Sequence, residues 1–594
     1  MAGKCVAFAN NDIVLVAWTY EQKLTGCVGF DVRRIKAGVA GTKNSALQGV
    51  SLPAMAGFPS NPNAGKAGQT TADGPIQKFF WKDLYVKQSG PSGEYVYQII
   101  PLEGTFLKNA PPQLRPLAGG KVLFSNPISL TTDHGPEEDP KLVQCFFNRG
   151  ILATQAVARQ LPKGTTGAPS KGKLLARIAD PTDSLRKTLG GDLLEALPTL
   201  LKTAKEEGGS VYGALYELND KELESYLIGN KSLHLVLSNT FDSTSGDPDK
   251  ENAPARAALH HSGVDVTDRI LPDGNHIGHN KFLLYCDGDG NPAAVLTGST
   301  NWTSTGLCAQ TNNAIIIRNK ALAQKYSDHW DALLKDTQDA EGDGHALQGG
   351  AFRTSNATAR TAKVPGASAT TIWFSPNTKQ KNKVKNVDPP DMTDIYARIK
   401  AAKKAVLFLA FDPGTPSVIE AAAEALAANP NLFIRGALTN KDRAGNFTVD
   451  LHNEKTKPSD PAQVIPATGV DDAFGIWEKE LNNAGHAVIH NKIVVIDPFD
   501  EDGCVLMGSH NLGDKASSTN DENFVVFEGN VSLASAYAIH VLDVYDHYRW
   551  RYLLSEHGTK DSWQGLEESD AWQKPYFDAA GKPDNPELRF WLDA

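Results

Sequence analysis

Short runs of apolar residues, broken by Gly, Pro and Asn, make up the first 130 residues of the chain. Four of these runs are rich in β-branched and aromatic residues, namely DIVLVAWTY, GCVGFDVRR, IQKFFWKDLYV and EYVYQIIPLEG. This composition is typical of β-strands. The pattern predicts an N-terminal β-sandwich over residues 1–130, with Trp18, Phe30 and Trp81 in its core.

Further along the chain, strand-like segments alternate with helix-like ones. In one region the helical DKELESYLIG lies between SVYGALYEL and LHLVLSN, and in a later region SVIEAAAEALAAN lies between AVLFLAF and LFIRGALT. Such an alternation is typical of a mixed or parallel sheet flanked by helices. We therefore expect an α/β fold beyond the N-terminal domain.

The strongest pattern is an internal repeat. HNKFLLYCDGDGNPAAVLTGSTN begins at His279, and HNKIVVIDPFDEDGCVLMGSHN begins at His490, an offset of 211 residues (490 minus 279). A helix-like segment follows each copy, YSDHWDALLKD from Tyr326 and YDHYRWRYLL from Tyr545. The chain is therefore predicted to contain two pseudo-symmetric copies of one α/β/α half, which can face each other across a pseudo-two-fold axis.

Segments of loop-like composition divide the chain further. LPKGTTGAPSKGKL, from Leu161, and the region around 338–370 are rich in Gly, Ser, Thr and Pro. The predicted units are a first half over 131–337 with its motif at 279–301, a linker over 338–370, a second half over 371–555 with its motif at 490–511, and a C-terminal tail over 556–594 packed on the body.

Each copy places a His and a Lys two residues apart in a strand-like segment, so that both side chains project from one side. These pairs are His279 with Lys281 and His490 with Lys492. A Gly-Ser-x-Asn sequence follows the next apolar strand of each copy, and its members are Gly298, Ser299, Asn301, Gly508, Ser509 and Asn511. Lys and Asn suit phosphoryl oxygens. Two His suit a covalent reaction in which one attacks phosphorus and the other protonates the leaving oxygen.

These motifs resemble the signature of the phospholipase D superfamily, a duplicated His-x-Lys…Asp followed by Gly-Ser-x-Asn. The resemblance covers roughly residues 175–555, and the sequence outside the motifs is similar to uncharacterised bacterial phospholipase D-like proteins with an N-terminal β domain. It implies cleavage or transfer of a phosphodiester through a phosphohistidine, with no metal and no other cofactor. It also implies catalytic roles for the His, Lys and Asn of both motifs and for Asp287 and Asp497.

The two copies differ by one residue between the Lys and the acid. Asp497 follows His490 by seven residues, whereas Cys286 stands at that position in the first copy and Asp287 comes one residue later. A slip of one residue turns a strand side chain to the opposite face unless a β-bulge restores the phase. We therefore predict a β-bulge near Tyr285–Cys286.

A second difference concerns the residue that orients each histidine. Glu522 follows His490 by 32 residues, where an acid orients the histidine in the family, and its first-copy counterpart is Asn312, 33 residues after His279. A carboxylate beside His490 would raise its pKa and suit a general acid. Asn312 beside His279 would leave a neutral imidazole, which suits a nucleophile and agrees with the order usual in the family.

Charge and cysteine content narrow the class of protein. The net charge of −10 argues against a basic coat that binds nucleic acid over the whole surface, although a local basic cleft stays possible. Six cysteines without tight spacing form neither a disulfide framework nor a zinc motif. The N-terminus does not resemble a signal peptide, and no apolar run is long enough to span a membrane. The expected location is the cytoplasm, with export by a route without a cleaved signal left open.

Less specific features have a structural interpretation beside a functional one. His260, His261 and His276 lie in a polar insertion, which we interpret as a solvated loop that could cover the cleft, with a metal site as the alternative. The segment 377–386, NTKQKNKVKN, is either a solvated loop or a phosphate contact. The aromatic and basic residues of 545–552 are expected to pack, and the aromatic residues of the tail are expected to dock on the body, with transient contact to a membrane surface as the alternative.

The motifs fit more than one class of substrate. We favour a glycerophospholipid, with hydrolysis or exchange of its head group. The alternative is a metal-independent endonuclease that acts on DNA or RNA, since the same catalytic set cuts nucleic acid in an open, basic cleft. A third hypothesis is an inactive binding or scaffold protein, which the displaced Asp287 and the missing first acid keep open.

Overall fold

The computed structural model describes residues 3–38, 47–151, 171–240, 249–271, 276–339, 346, 348–378, 387–439, 462–466, 489–561 and 565–592, except for positions 55, 65, 67, 91, 412 and 415.

The N-terminal region forms two antiparallel sheets. One sheet has the order β1-β2-β5, the other has the order β4-β3-β6-β7, and β8 pairs with β6. Side chains of both sheets share one core, in which the rings of Trp18 and Phe30 lie 5.3 Å apart, while Trp81 is partly buried at its edge. The elements are β1 (Gly3–Ala9), β2 (Val14–Tyr20), β3 (Gly29–Lys36), β4 (Val50–Ser51), β5 (Phe80–Asp83), α1 (Val86–Ser89), β6 (Tyr95–Thr105), β7 (Gln113–Pro116) and β8 (Leu123–Phe124).

The first α/β half contains a seven-stranded mixed sheet with the order β12-β11-β10-β13-β14-β15-β9. Strands β10, β11 and β12 are parallel, and the remaining pairs are antiparallel. The elements are β9 (Val143–Phe147), α2 (Lys171–Ala179), α3 (Ser184–Gly190), α4 (Leu193–Ala196), α5 (Thr199–Glu207), β10 (Ser210–Leu215), α6 (Lys221–Leu227), β11 (Leu233–Thr240), α7 (Ala253–His261), β12 (Asp265–Leu271), β13 (Lys281–Cys286), β14 (Pro292–Gly298), α8 (Ser304–Cys308), β15 (Asn313–Ile317) and α9 (Lys320–Gln338).

The second half repeats this topology in an eight-stranded sheet with the order β16-β17-β23-β22-β21-β18-β19-β20. Read from β20, the first seven strands match the order of the first half, and β16 is an additional edge strand. The elements are α10 (Gly350–Asn356), β16 (Arg360–Ala362), β17 (Ala369–Ser375), α11 (Pro390–Lys400), β18 (Ala405–Ala410), α12 (Val418–Ala428), β19 (Phe433–Leu438), β20 (Ala462–Pro466), β21 (Ile493–Ile496), β22 (Cys504–Gly508), α13 (Asp514–Thr519), β23 (Glu522–Glu528) and α14 (Val531–Asp561).

The segment 338–370 differs from the predicted linker. It contains α10 and β16, and β16 pairs with β17, so that the second sheet begins before residue 371. A Gly- and Thr-rich composition predicted a connection, but pairing with a neighbouring strand satisfies the backbone of Arg360–Ala362.

The two halves contact each other through one large apolar core that includes side chains of both sheets and of α9 and α14. A buried ion pair also crosses the boundary: Nε of Arg269, on β12, lies 2.6 Å from Oδ2 of Asp521, just before β23. Two backbone hydrogen bonds follow the same pseudo-symmetry, from Asp521 to Ile277 and from His490 to Thr311. The beginnings of the two motif segments are therefore held against the opposite half.

The C-terminal segment ends in α15 (Pro586–Leu592). Trp572 packs in the N-terminal core and donates a hydrogen bond from Nε1 to the carbonyl of Cys27, 2.8 Å away. The ring of Trp591 lies 5.8 Å from that of Phe80. Over the part of the chain described here, every helix is too short or too polar to cross a membrane.

Candidate active site

The two motif histidines lie next to each other at the boundary between the halves. His279 precedes β13, His490 precedes β21, and the centroids of their rings are 6.3 Å apart with an angle of 71° between the ring planes. Both residues are at most 4% exposed. One centre therefore contains both copies of the motif.

The motif lysines project into the same centre, as the two-residue spacing predicted. Nζ of Lys281 donates to the backbone carbonyl of His279 at 2.8 Å, and Nζ of Lys492 donates to that of His490 at 2.6 Å. Each ammonium also lies 5.1 Å from the centroid of an aromatic ring, Tyr216 for Lys281 and Phe411 for Lys492. The two half-sites therefore hold their lysines in the same way.

The partners of the histidines are exchanged relative to the prediction. Nδ1 of His279 lies 2.7 Å from Oε2 of Glu522, and Nδ1 of His490 lies 2.9 Å from Oδ1 of Asn312. The prediction that Glu522 lies beside His490 and Asn312 beside His279 was wrong. The spacing along the chain was read within one half, whereas each partner reaches the histidine of the other half.

The hydrogen bonds of Asn312 determine the tautomer of His490. Oδ1 of Asn312 also accepts from the hydroxyl of Ser299 at 2.8 Å, and its Nδ2 donates to the carbonyl of Gly306 at 2.8 Å. The amide oxygen therefore faces His490, and Nδ1 of His490 must be the donor. Nε2 of His490 is then available for proton transfer.

The glycines and serines of the motifs allow the ends of β14 and β22 to lie close to the strands that follow them. A Cβ at Gly298 would lie 2.3 Å from the carbonyl oxygen of Asn313, and one at Gly508 would lie 2.2 Å from that of Asn523. The hydroxyls of Ser299 and Ser509 accept hydrogen bonds from the backbone N–H of the same two asparagines. These residues hold the ends of β14 and β22 against the following strands.

The motif asparagines lie in different surroundings. Nδ2 of Asn301 donates to Oε2 of Glu217 at 2.6 Å. The Oδ1 atoms of Asn301 and Asn511 are buried and have no hydrogen-bond partner among the described residues. Two amide oxygens are thus left for a ligand or for ordered water.

The motif acids are not part of this centre. Asp497 follows β21, at the end opposite to His490, and its carboxylate accepts hydrogen bonds from the backbone N–H groups of Lys403, Lys404 and Ala405. Asp287 likewise follows β13 and accepts from Asp289 and Asn291 within its own turn. A strand of four to six residues separates each acid from its histidine, so neither carboxylate lies beside the two histidines, and a catalytic role for either acid stays a prediction.

The predicted β-bulge is confirmed. The register between β13 and β14 shifts between Tyr285 and Cys286. The additional residue of the first copy is therefore absorbed at the far end of the strand, and Asp287 still reaches a turn, like Asp497.

A second polar layer lies beneath the histidines and also crosses between the halves. Nδ2 of Asn523 donates to Oδ1 of Asn280 at 2.8 Å, and Nδ2 of Asn491 donates to Oδ1 of Asn313 at 3.2 Å. These contacts are pseudo-symmetric, so the residue after each motif histidine binds the opposite half.

Two tyrosines of the following helices complete this layer. The hydroxyl of Tyr326, on α9, donates to Oδ1 of Asn523 at 3.0 Å, and that of Tyr537, on α14, accepts from Nδ2 of Asn313 at 3.0 Å. Tyr537 is thus the counterpart of Tyr326, and the alignment of Tyr326 with Tyr545 was wrong. Similarity of letters favoured Tyr545, whereas the offset of 211 residues between the motifs leads to Tyr537.

Burial dominates the electrostatics of the site. It lowers the pKa of His279 and of His490 well below the usual value, and the nearby Lys281 and Lys492 lower both further. Burial also lowers the pKa of Lys281 to about 7, against the opposite effect of Glu522 and Glu217. The pKa of Glu522 is raised by burial to about 7. In the site without substrate, Lys281 and Glu522 therefore change their charge near neutral pH.

Three residues of the site were not identified from the sequence: Tyr216, Glu217 and Phe411. The rings of Tyr216 and His279 are 4.9 Å apart, and those of Phe411 and His490 are 5.2 Å apart. Tyr216 follows β10 directly and Phe411 follows β18 directly, each on the strand that neighbours a motif strand. An aromatic residue at the same strand end in both halves was the signal that could have identified them.

The less specific candidates lie outside this centre. Nδ1 of His276 lies 2.7 Å from Oε1 of Gln348, Nε2 of His260 lies 3.1 Å from Oδ2 of Asp268, and His261 is exposed. Within the described ranges, no group of three or more His, Cys, Asp or Glu side chains is arranged to hold a metal ion.

The other surface candidates are only partly covered by the structure. Residues 379–386 of the basic segment lie outside the described residues, as do parts of the polar insertion. On α14, Tyr545 and Tyr548 are buried, which agrees with packing rather than with an exposed aromatic surface.

Comparisons with known proteins address the family. Residues 201–334 match a family model described as cardiolipin synthase, phospholipase D-like domain. No curated protein sequence matches the chain. Among solved structures, the chain is similar to phosphatidylserine synthase from Haemophilus influenzae Rd KW20, with 10% identity, coverage of 61% of this chain and 87% of the other, and a TM-score of 0.40.

Two further solved structures are similar over different lengths. Nuc from Salmonella typhimurium, a phospholipase D family member, has 16% identity, covers 30% of this chain with 94% of its own, and gives a TM-score of 0.18. Polyphosphate kinase from Porphyromonas gingivalis has 11% identity, covers 88% of this chain with 74% of its own, and gives a TM-score of 0.36. The residues that match the family model form a phospholipase D-like domain that contains the first motif, and the second half of the chain repeats that motif and its strand order.

Proposed function

We propose that this protein is a phosphodiesterase that hydrolyses or transfers a phosphodiester through a phosphohistidine on His279. The observation that carries the proposal is the pair of histidine rings, 6.3 Å apart, whose Nδ1 atoms are both occupied by partners from the opposite half. One phosphorus atom between them would lie within reach of both Nε2 atoms, since each contact needs about 3 Å.

The first step forms the covalent intermediate. Nε2 of His279 attacks phosphorus, and the bond from phosphorus to the leaving oxygen breaks with its electron pair going to that oxygen. His490 donates its Nε2 proton to the same oxygen, so that the leaving group departs as an alcohol. Splitting the reaction in this way replaces one difficult displacement with two easier ones.

The second step releases the enzyme. Neutral His490 now takes a proton from water, or from an acceptor alcohol, whose oxygen attacks phosphorus. The bond from phosphorus to Nε2 of His279 breaks, and its electron pair returns to the imidazole. Water gives hydrolysis and an alcohol gives transfer, while His490 regains its proton in both cases.

The hydrogen-bond partners support this order of the two histidines. Glu522 accepts the Nδ1 proton of His279, which leaves the lone pair on Nε2 and stabilises the positive charge that develops when this nitrogen bonds to phosphorus. His490 has the neutral partner Asn312, which does not hold its proton electrostatically. The argument from sequence reached the same order from the opposite pairing, so the order now rests on Glu522 activating the nucleophile.

Lys281 and Lys492 supply positive charge for the non-bridging oxygens, and the Nδ2 groups of Asn301 and Asn511 are the amide atoms that can donate hydrogen bonds to them. All four belong to the buried surroundings of the two histidines, where such contacts are stronger than in water. A bound phosphodiester also adds a negative charge near His490. It thereby favours the imidazolium that the first step requires.

We propose a glycerophospholipid as the substrate, with the head-group alcohol as the leaving group. The experiment is a panel of phospholipid vesicles and of single- and double-stranded DNA and RNA, each incubated with the protein in EDTA. We expect release of a head group, and loss of release in both His279→Ala and His490→Ala. Degradation of nucleic acid without release of a head group would instead support the endonuclease.

A trapping experiment tests the intermediate. A labelled phosphodiester substrate, quenched during turnover, should leave its label on His279 in a peptide map. Label on His490 would reverse the order of the two histidines, and a strict requirement for a divalent metal would contradict the phosphohistidine reaction.

A further inference from the structure

We propose that Glu217 and Asn301 form a subsite for a positively charged amine, so that the substrate is a phosphodiester of an ammonium-bearing alcohol. This inference rests on the proposed function and specifies the leaving group that the site accepts.

Glu217 brings a carboxylate to the edge of the catalytic centre. It follows Tyr216, whose ring contacts His279, and its Oε2 accepts a hydrogen bond from Nδ2 of Asn301 at 2.6 Å. Glu217 favours the charged form of Lys281, but its own carboxylate cannot contact phosphate, since an anion repels the phosphoryl oxygens. Its placement suits a cationic group on the substrate.

The unpartnered oxygen of Asn301 is an independent indication of a ligand. Asn301 is only 4% exposed, and its Oδ1 has no hydrogen-bond partner among the described residues. Because Nδ2 donates to Glu217, the oxygen side of this amide is an acceptor without a donor. An acceptor beside a carboxylate calls for a positively charged N–H donor.

A turn bearing two more acids is held against Glu217. Nδ2 of Asn252 donates to the carbonyl of Tyr216 at 2.6 Å, and its Oδ1 accepts from the backbone N–H of Leu218 at 2.8 Å. Asn252 thus binds the backbone on both sides of Glu217. The same turn carries Asp249 and Glu251, so the first-half side of the centre is rich in negative charge.

These acids act on Glu217 directly. Burial raises the pKa of Glu217 to about 7. The negative charges of Glu251 and Asp249 act in the same direction, while the positive charge of Lys281 lowers this pKa. A cation that binds beside a carboxyl group with a raised pKa stabilises the charged form of that group.

The position of Asn301 agrees with a role on the leaving-group side. The backbone of Ser299 makes a hydrogen bond to His490, the proposed proton donor to the leaving oxygen. Asn301 stands two residues later in the same short segment. The alcohol that departs beside His490 would therefore place its amine toward Asn301 and Glu217.

A simpler role for Glu217 is to position Asn301 alone. Glu217→Gln separates the two roles, because the amide oxygen of Gln can still accept from Nδ2 of Asn301 while the charge is removed. Loss of positioning would lower turnover of every phosphodiester. Loss of a cation site would raise KM more for the ammonium-bearing substrates than for the other phosphodiesters.

The test uses the full chain, three phospholipids with identical acyl chains in mixed micelles, and a soluble diester without a head group. The lipids are phosphatidylethanolamine, phosphatidylcholine and phosphatidylglycerol, and the diester is bis(4-nitrophenyl) phosphate. The control variant is Glu195→Gln, the same change on an exposed residue of α4. Kinetic constants are measured for each protein on each substrate.

We expect kcat/KM of the wild-type protein to favour phosphatidylethanolamine over phosphatidylglycerol by roughly tenfold, a factor that corresponds to one ionic contact. Phosphatidylcholine, whose ammonium group has no N–H for Oδ1 of Asn301, should lie between the two. Glu217→Gln should remove most of this preference through KM and lower kcat/KM for phosphatidylglycerol and bis(4-nitrophenyl) phosphate by one common, smaller factor, because the lost charge no longer favours the ammonium of Lys281. Glu195→Gln should behave like the wild-type protein. An equal loss on all substrates, or a wild-type protein without the preference, would overturn the subsite.

A second measurement does not depend on the variant. Phosphoethanolamine should inhibit hydrolysis of bis(4-nitrophenyl) phosphate by the wild-type protein more strongly than glycerol 3-phosphate does, and equal inhibition would also overturn the subsite. If the wild-type protein hydrolyses no phosphodiester of the panel, the proposed function itself fails, which is a different outcome.

Discussion

Oε2 of Glu522 lies 2.7 Å from Nδ1 of His279, although the two residues belong to opposite halves of the molecule. His490, in the same half as Glu522, is bound by Asn312 of the first half instead. The two half-sites are therefore interlocked, and the two histidines differ in the partner of Nδ1, a carboxylate for His279 and an amide for His490.

Replacement of Glu522 by Gln should reduce turnover strongly. The carboxylate now accepts from Nδ2 of Asn520 as well as from His279, and a Gln has only one oxygen for these two donors. An amide N–H facing Nδ1 would force the proton onto Nε2 and remove the nucleophilic lone pair. We expect kcat to fall on the order of 10²–10⁴-fold, as for the loss of other groups that assist proton transfer.

The matched control is Glu501→Gln, the same change on an exposed turn. Steady-state rates on bis(4-nitrophenyl) phosphate and the amount of phosphoenzyme in a quenched reaction give the comparison. Wild-type rates in Glu522→Gln would contradict the activation of His279 by this carboxylate.

Replacement of Asn312 by Asp should change the pH profile. The new carboxylate would face Nδ1 of His490 and raise the pKa of this imidazole. Because the protonated form of His490 is the one required in the first step, the alkaline limb of kcat should move to higher pH. The bond from Nδ2 to the carbonyl of Gly306 is lost, so we also expect a stability cost of about 1–3 kcal/mol.

This shift is measured by the pH dependence of kcat for both proteins, with stability followed by thermal unfolding. An alkaline limb that stays in place, in a variant that is folded over the same pH range, would indicate that His490 is not the proton donor.

Binding of a phosphodiester should weaken as the pH rises through about 7. Burial lowers the pKa of Lys281 to about 7, so its ammonium is present below this pH and is lost above it. Glu522, whose pKa is raised to about 7, becomes negative over the same range. Both titrations make the site less attractive to an anion, and with one proton taken up on binding the affinity falls about tenfold per pH unit above 7.

Calorimetric titration with diethyl phosphate, whose charge is constant over this range, provides the measurement. Buffers of different ionisation enthalpy should reveal uptake of protons above pH 7 in the wild-type protein and less uptake in Lys281→Met. A constant affinity from pH 6 to pH 9 would contradict the lowered pKa of Lys281.

The α/β class and the bulge could be predicted from the sequence because both follow from local rules. Side chains alternate between the two faces of a strand, so one inserted residue changes the face on which the following residues lie. The register shift lies at the predicted position, between Tyr285 and Cys286. The duplicated motifs likewise predicted two halves that share one centre.

The exchange of Glu522 and Asn312 could not be predicted in the same way. Distance along the chain does not state whether a side chain binds within its own half or across the boundary, and only the docking of the two sheets decides between these possibilities. For the same reason, Tyr216 and Glu217 were interpreted as part of a strand, although they lie just beyond its end at the site.

The motif acids should matter for stability rather than for chemistry. Asp497→Ala would leave the backbone N–H groups of Lys403, Lys404 and Ala405 without their acceptor, at a cost of at least about 2 kcal/mol. Asp287 is more exposed and binds only its own turn, so Asp287→Ala should cost less than about 1 kcal/mol.

Urea unfolding of the two variants gives the comparison, together with kcat at a temperature where both are folded. Asp497→Asn keeps an oxygen acceptor and tolerates the positive φ of 46° at this position, so it should be less destabilised than Asp497→Ala. A loss of kcat without a loss of stability in Asp497→Ala would support a catalytic role for this acid.

The positions of Glu522 and Asn312, each bound to the histidine of the other half, also bear on how a site with two unequal histidines can arise. In a symmetric dimer of identical chains, the same residue would bind both histidines. A Glu beside one histidine and an Asn beside the other could not be encoded by one gene. Joining the two copies in one chain removes this constraint, because position 312 and position 522 can then mutate independently. The proposed division of labour between His279 and His490 is thus a property that gene fusion makes available, and neither half, expressed by itself, carries the residues for it.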